Sequence, residues 1–161
     1  MGLELRTQII WRKPLVVRRG NYHSEHEPCW YAVRKGGTAH WSGGTKQSTV
    51  WEISNRRPAG KGPGEDTSTD HGTQKPVACM LRPILNHTEE GMSVYDPFMG
   101  SGTTMIAAEQ SGRIAYGLDI DPAYVDVAIE RWERLTGEEA RLADDGRTFG
   151  EVKAARAKEA A

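Results

Sequence analysis

Nine consecutive residues, Asp96-Pro97-Phe98-Met99-Gly100-Ser101-Gly102-Thr103-Thr104, set the strongest limit on what this chain can fold into. They follow Met92-Ser93-Val94-Tyr95, a short run of buried-strand type, and lead into a stretch that reads as a helix from about Thr103 to Gly112. Gly100 and Gly102 lack Cβ, so the backbone can approach a ligand closely and adopt dihedrals closed to other residues. A helix beginning there presents unpaired N–H groups and a partial positive charge. Ile114 to Leu118 reads as a second strand ending in Asp119, a position where a carboxylate can accept both hydroxyls of a ribose. Asp121 suits an N-cap and Pro122 a first helical position; the helix face carries Val125, Ala128, Ile129, Trp132 and Leu135, and Gly137 closes it. Strand, glycine turn, helix, strand, acid, helix over residues 92–135 is the first half of a Rossmann-like doubly wound α/β sheet.

The turn leaves several ligands open. A P-loop needs a lysine after its last glycine, and none follows Gly102. A nicotinamide or flavin dinucleotide favours a third glycine where Met105 stands, which weakens that reading. S-adenosylmethionine has a ribose and an amino-acid end but no pyrophosphate, so it does not require that glycine. A turn that merely packs tightly is the remaining alternative.

The rest of the chain has a different character. Gln8 to Arg12 reads as a strand stopped by Pro14, and Pro28 to Arg34 as a second strand ended by Gly36-Gly37, with a polar turn over 18–23 between them. Residues 58–72 are loop-like by composition, rich in Gly and Pro. Val77, Met80, Leu81, Ile84 and Leu85 fall on one helical face after Pro76, and Pro83 inside that pattern predicts a kinked helix ending near Asn86. The resulting division is a strand pair over 1–37, a polar tryptophan-bearing segment and loop over 38–72, a cofactor-binding half over 73–137, and an Ala/Lys/Glu-rich tail over 138–161, helical or frayed.

Charge follows this division. The 161 residues carry a net −1, but residues 1–62 hold eleven basic and four acidic side chains, +7, which leaves −8 for the remainder. Bulk charge therefore does not bind a polyanion, whereas the first half suits one locally. No apolar run approaches the roughly 20 residues that span a bilayer, and no leader pattern opens the chain, so a cytoplasmic protein without a membrane partner is expected. Cys29 and Cys79 have no partner spacing for a disulfide framework or a zinc knuckle. His23 and His26 have HxxH spacing without a convincing third ligand, so no metal site is expected.

The run DPFMGSGTT, followed by IAYGLDIDPAYVDVAIERW, resembles the cofactor motif of S-adenosylmethionine-dependent DNA amino-methyltransferases, which methylate N6 of adenine or N4 of cytosine. The block HGTQKPVACMLRPILNH is similar to the segment that precedes the glycine turn in these enzymes and closes over the methionine end of the cofactor. Its place before the turn resembles the permuted, β-class order: catalytic half, target-recognition segment, cofactor half. The stretch YHSEHEPCWYAVRKG…HWSGGTKQSTVWEI also resembles the middle of phage and bacterial DNA modification methylases, and the similarity covers roughly residues 8 to 137.

The resemblance assigns Asp96, Pro97, Phe98, Gly100, Ser101, Gly102 and Thr103 to the cofactor turn and Asp119 to the ribose. It places Thr73, Lys75 and Pro76 near the methionine carboxylate, with Lys75 as a charge-assisted donor. Asp121 rivals Asp119 for the ribose, but its position before Pro122 favours capping. Double-stranded DNA is the implied substrate, and Lys46, Arg56, Arg57 and Lys61, interleaved with Trp41 and Trp51, suit phosphate contact and base stacking. Trp51 also reads as a core anchor. The family's chemistry lies in a (D/N/S)PP(Y/F/W) motif that holds the target amino group of a flipped base. No two consecutive prolines occur in this sequence, so no catalytic residue is named. The expectation is a carboxy-terminal, cofactor-and-recognition half with an incomplete sheet, completed by a second chain or segment; the alternative is a non-catalytic DNA- or protein-binding module that keeps the fold.

Overall fold

The computed structural model describes residues 2–17, 20–54 and 74–159. Thr73, Arg56, Arg57, Lys61 and the loop expected over 58–72 lie outside them. The described chain is mixed α/β, with the strands in two small sheets. In the first, β1 (Leu3–Val17) is central: it pairs antiparallel with β2 (Ser24–Arg34) and parallel with β3 (Val50–Glu52). In the second, β4 (Ser93–Asp96) and β5 (Ile114–Gly117) run parallel, Val94 opposite Ala115 and Tyr95 opposite Tyr116. The helices are α1 (Val77–His87), α2 (Thr103–Gln110), α3 (Pro122–Thr136) and α4 (Phe149–Glu159). This is the incomplete Rossmann-like arrangement the sequence predicts.

Pro14 does not stop the first strand. The ladder between β1 and β2 is irregular between Arg12 and Val17, so proline's missing N–H falls where no regular pairing demands a donor. β2 likewise begins earlier than expected, taking in Ser24 to Glu27 ahead of Pro28. Trp11 and Trp51 sit opposite each other on β1 and β3, both buried. Their indole N–H groups are satisfied by Ile53 O at 2.8 Å and Ser48 O at 3.1 Å. Trp51 is thus the core anchor, and it is not available as a stacking platform.

Val77 and Ile84 of α1 meet Ile106, Ala107 and Ala108 of α2 in the main core, with Met80, Leu81, Val94, Ala115, Trp132 and Leu135 closing around it. The two alanines have no exposed surface and let the helices approach closely. α1 carries Pro83 without interruption. Leu85, expected on its inner face, is 45% exposed, because at about 100° per residue it lies roughly a quarter-turn beyond Ile84. Asn86 is buried instead, and its carbonyl accepts Ser42 N–H at 2.8 Å. Gln47 to Arg82 (3.1 Å) and His40 O to His87 Nδ1 (2.8 Å) complete the docking of residues 40–47 onto α1.

The caps follow the sequence. Asp121 accepts Ala123 N–H at 2.9 Å, and Gly137 closes α3 in the left-handed conformation at φ 76°. The tail holds a full helix, whose start is a reciprocal capping box: Glu151 accepts Thr148 N–H at 2.8 Å and Thr148 accepts Glu151 N–H at 3.2 Å. Among the described residues no helix is long and apolar enough to cross a membrane. Ile84, 6% exposed at the centre of the core, should reveal how much of the fold rests on it. Ile84→Ala is expected to lower unfolding free energy by about 2–4 kcal/mol, measured as a drop in denaturant midpoint at unchanged slope.

Candidate functional site

The sequence-predicted turn and strand-end acid meet. Gly100 N–H donates to Asp119 Oδ2 at 2.7 Å, and Asp121 N–H donates to Asp119 Oδ1 at 2.9 Å. Asp119 therefore points at the glycine turn from the end of β5. Asp96, at the end of β4, shapes the other side: Oδ1 accepts Phe98 N–H at 2.9 Å and Oδ2 accepts the Thr104 hydroxyl at 2.6 Å. These two carboxylates fix both loops that leave the parallel strands, the usual place for a ligand in an open α/β sheet.

Gly102 is required on two counts. Its φ is 78°, and a Cβ there would stand 2.7 Å from Ala128 Cβ, so α3 presses directly on the turn. Ser101, Thr103 and Thr104 are buried beside it, whereas Phe98 is 88% exposed and Ile120, between the two aspartates, is fully exposed. Asp119 thus stands at the turn that leads into α2, and two bare apolar side chains, Phe98 and Ile120, lie on the same two loops. A zwitterionic nucleoside needs that donor set: acceptors for hydroxyls, N–H groups for a carboxylate and an apolar contact for a base.

Lys75 and Pro76 enter from α1. Pro76 occupies the N-cap position, one residue earlier than expected. Lys75 O accepts the Thr103 hydroxyl at 3.2 Å, which joins the start of α1 to the turn. Its ammonium pairs with Glu27 Oε2 at 3.1 Å, and Lys13 pairs with the other carboxylate oxygen. Burial works against the charge on Glu27, but the hydrogen bonds and charges of the two lysines outweigh it and hold the carboxyl below its ordinary value of 4.5.

Glu27 and Arg131 are the participants that the sequence reading missed. Glu27 belongs to the His/Glu run that the sequence offered only as a weak metal candidate. Arg131 carried a signal: a charged residue three positions after Ala128, beside the inward stripe of α3. It is buried, and its Nη1 donates to Ser101 O at 2.5 Å and lies 3.3 Å from both the Ser101 and Thr103 hydroxyls.

The residues assigned to DNA are less gathered. Trp41 is 48% exposed, but its N–H donates to Gly44 O at 2.9 Å and its ring meets the edge of His87 at 5.2 Å. Lys46 is exposed on the same segment. Among the described residues, no cluster of three or more His, Cys, Asp or Glu side chains is arranged to hold a metal ion.

Fold and site together define an α/β protein of the nucleoside-cofactor class, its turn and acid placed at the ends of parallel strands. The particular family follows from comparison: residues 1–130 match the DNA methylase family, and the chain belongs to it. It is 30% identical over 145 residues to the type II methyltransferase M2.DpnII of Streptococcus pneumoniae, covering 82% of this chain and 52% of that protein. It is 39% identical over 88 residues to M.HpaI of Haemophilus parainfluenzae, covering 55% of this chain and 26% of that one. Among solved structures, the M1.HpyAVI–SAM complex aligns with TM-score 0.65 at 26% identity, over 81% of this chain and 63% of that one. The PvuII cytosine-N4-specific DNA methyltransferase shares the fold, with TM-score 0.60 at 17% identity, over 85% of this chain and 59% of that one. The chain spans about half the length of the type II methyltransferases M2.DpnII and M.Cfr9I, 52% and 47%.

Glu27 generates a pH prediction. Its folded pKa is lowered, so its contribution is present above the unfolded value and disappears as pH falls through the folded value. At neutral pH Glu27→Gln should be less stable by up to about 1 kcal/mol after solvent screening. The gap should close as the pH drops below 4.5, read from thermal or denaturant midpoints across a pH series.

Proposed function

We propose that this chain is the cofactor-binding and DNA-recognition half of a DNA amino-methyltransferase acting on an exocyclic nitrogen of adenine or cytosine, within a restriction-modification system. The observation that carries the reading is the 2.7 Å bond between Gly100 and Asp119, which brings the glycine turn and the acid to one opening in a chain of the DNA methylase family. S-adenosylmethionine is the cofactor this family membership and the donor set support; when bound, it supplies an electrophilic methyl group on sulfonium. Asp119 would accept the ribose hydroxyls. A carboxylate has about four lone-pair sites, so a hydroxyl contact is compatible with its amide bonds. Thr103 and the N-terminus of α2, with Lys75, Pro76 and, by its place in the sequence, Thr73, would face the methionine end. Phe98 and Ile120 would cover the base and exclude water.

The same structure supports a missing companion. Parallel sheets are normally covered on both faces. Here Val94 and Ala115 pack against helices, while Tyr95, Tyr116 and Ile114 on the opposite face are 62%, 57% and 49% exposed. β4 has β5 as its only strand neighbour among the described residues. A segment bearing the (D/N/S)PP(Y/F/W) motif would lay a strand beside β4, cover that face and bring the catalytic group to the cofactor. Lys46, Arg56, Arg57 and Lys61, with Trp41, would contact double-stranded DNA, and the DNA affinity should fall steeply with salt.

Calorimetry on the purified chain should give binding heat with S-adenosylmethionine and none with NAD; heat with NAD alone would overturn the assignment. Asp119→Ala should weaken cofactor binding by about 1.5–3 kcal/mol, and unchanged affinity would mean that the ribose is held elsewhere. Transfer of labelled methyl groups to DNA should stay at background for the chain alone; turnover without a companion contradicts the half-enzyme reading.

A further inference from the structure

Arg131 lies among the residues that hold the turn, and no motif assigns it a role. It is 4% exposed, on the α3 face that also presents Ala128 to Gly102. Its Nη1 reaches Ser101 O at 2.5 Å, and the N–H of the same peptide, that of Gly102, donates to Met99 O at 3.0 Å. Both ends of the Ser101–Gly102 peptide are therefore tied down, one of them by a cation. The same Nη1 stands 3.3 Å from the Thr103 hydroxyl, which donates to Lys75 O at 3.2 Å. One guanidinium thus contacts the turn, the first residue of α2 and, through Thr103, the start of α1.

Burying a guanidinium there is costly unless its charge or its fork is used. Its place beneath the N-terminus of α2 adds a full positive charge to the partial charge of the helix end. That combination favours an anion over the turn.

We propose that Arg131 is a positioning residue that sets the glycine turn and makes it selective for the carboxylate end of its ligand. This rests on the reading that the turn holds S-adenosylmethionine. Arg131 does not touch the cofactor; it acts through the Ser101–Gly102 peptide and through its charge. Residues that only pack the fold would weaken all ligands of the turn alike, whereas this role separates ligands with and without the amino-acid end.

The test compares S-adenosylhomocysteine with 5′-methylthioadenosine, which keeps the nucleoside and lacks the amino-acid group, by calorimetry on the whole chain. Arg131→Gln should weaken S-adenosylhomocysteine by about tenfold or more and methylthioadenosine by less than about threefold. Arg131→Lys, which keeps the charge but not the fork, should preserve most of the discrimination between the two ligands. Equal losses for both ligands in the glutamine variant, or a lysine variant that loses the discrimination as fully as the glutamine variant, would overturn the proposal and leave a packing role. Circular dichroism and thermal midpoints report folding. If the glutamine variant does not fold, Arg131→Met, which also removes the charge but keeps the apolar stem, decides: a loss of about tenfold confined to S-adenosylhomocysteine supports the role, and equal losses refute it. If the unsubstituted chain binds neither ligand, the cofactor reading itself falls, and the proposal with it.

Discussion

Asp119 and Gly100 are nineteen residues apart and belong to loops that leave two different strands. Their hydrogen bond decides what those loops can do together. Met99 N–H also donates to Leu118 O at 2.9 Å and Arg131 holds Ser101 O, so the turn is fastened to β5 and α3 as well; the Asp119 bond is the one that gives the acid its direction. With it, the carboxylate faces the N-terminus of α2, and its second oxygen fixes Asp121, the residue that caps α3. A single side chain therefore orients a helix start on each side. Asp96 does the equivalent work one strand away through Phe98 and Thr104. The opening between the loops is built by acids that are already bonded, so its shape is set before any ligand arrives.

Residues 92–137 were largely legible because their signals are local. Asp121-Pro122 and Gly137 bound a helix by capping chemistry alone, and the glycine spacing needs only the turn itself to be read. The readings that failed depended on partners distant in sequence. Pro14 breaks a strand only if a neighbour wants the N–H it lacks, and the ladder to β2 is irregular there. Leu85 belongs to an apolar pattern, but the inner edge of α1 is claimed by Asn86, whose partners lie forty-odd residues earlier at Ser42 and Gly43. Glu27 is one more acid in a polar run until Lys13 and Lys75 are placed around it. Thr148 and Glu151 are the opposite case: a local capping signal in plain view within a stretch taken as a tail.

The two sheets differ in how they are sustained. The first has its central strand paired on both sides and is anchored by two buried tryptophans, so it holds itself together. The second is only a parallel pair, and its packed face depends on α1 and α2. α1 joins them at both of its ends: Lys13, Glu27, Lys75 and Thr103 meet at its start, while Gln47 holds Arg82 and Tyr31 stacks on His87 further along. Charge pairs of this kind fix relative position more than they add stability.

β1 also carries a kinetic consequence. Its antiparallel partner is the next strand along, so that hairpin closes a short loop and forms on the scale of microseconds. Its parallel partner must return from Val50 to Ile10, a longer closure with a larger entropy cost. The order of assembly is thereby written into one strand: the hairpin first, then the capture of Trp51 against Trp11. The segment between β2 and β3 spans that longer closure, and within it Gln47, Ser42 and His40 bond to Arg82, Asn86 and His87 of α1.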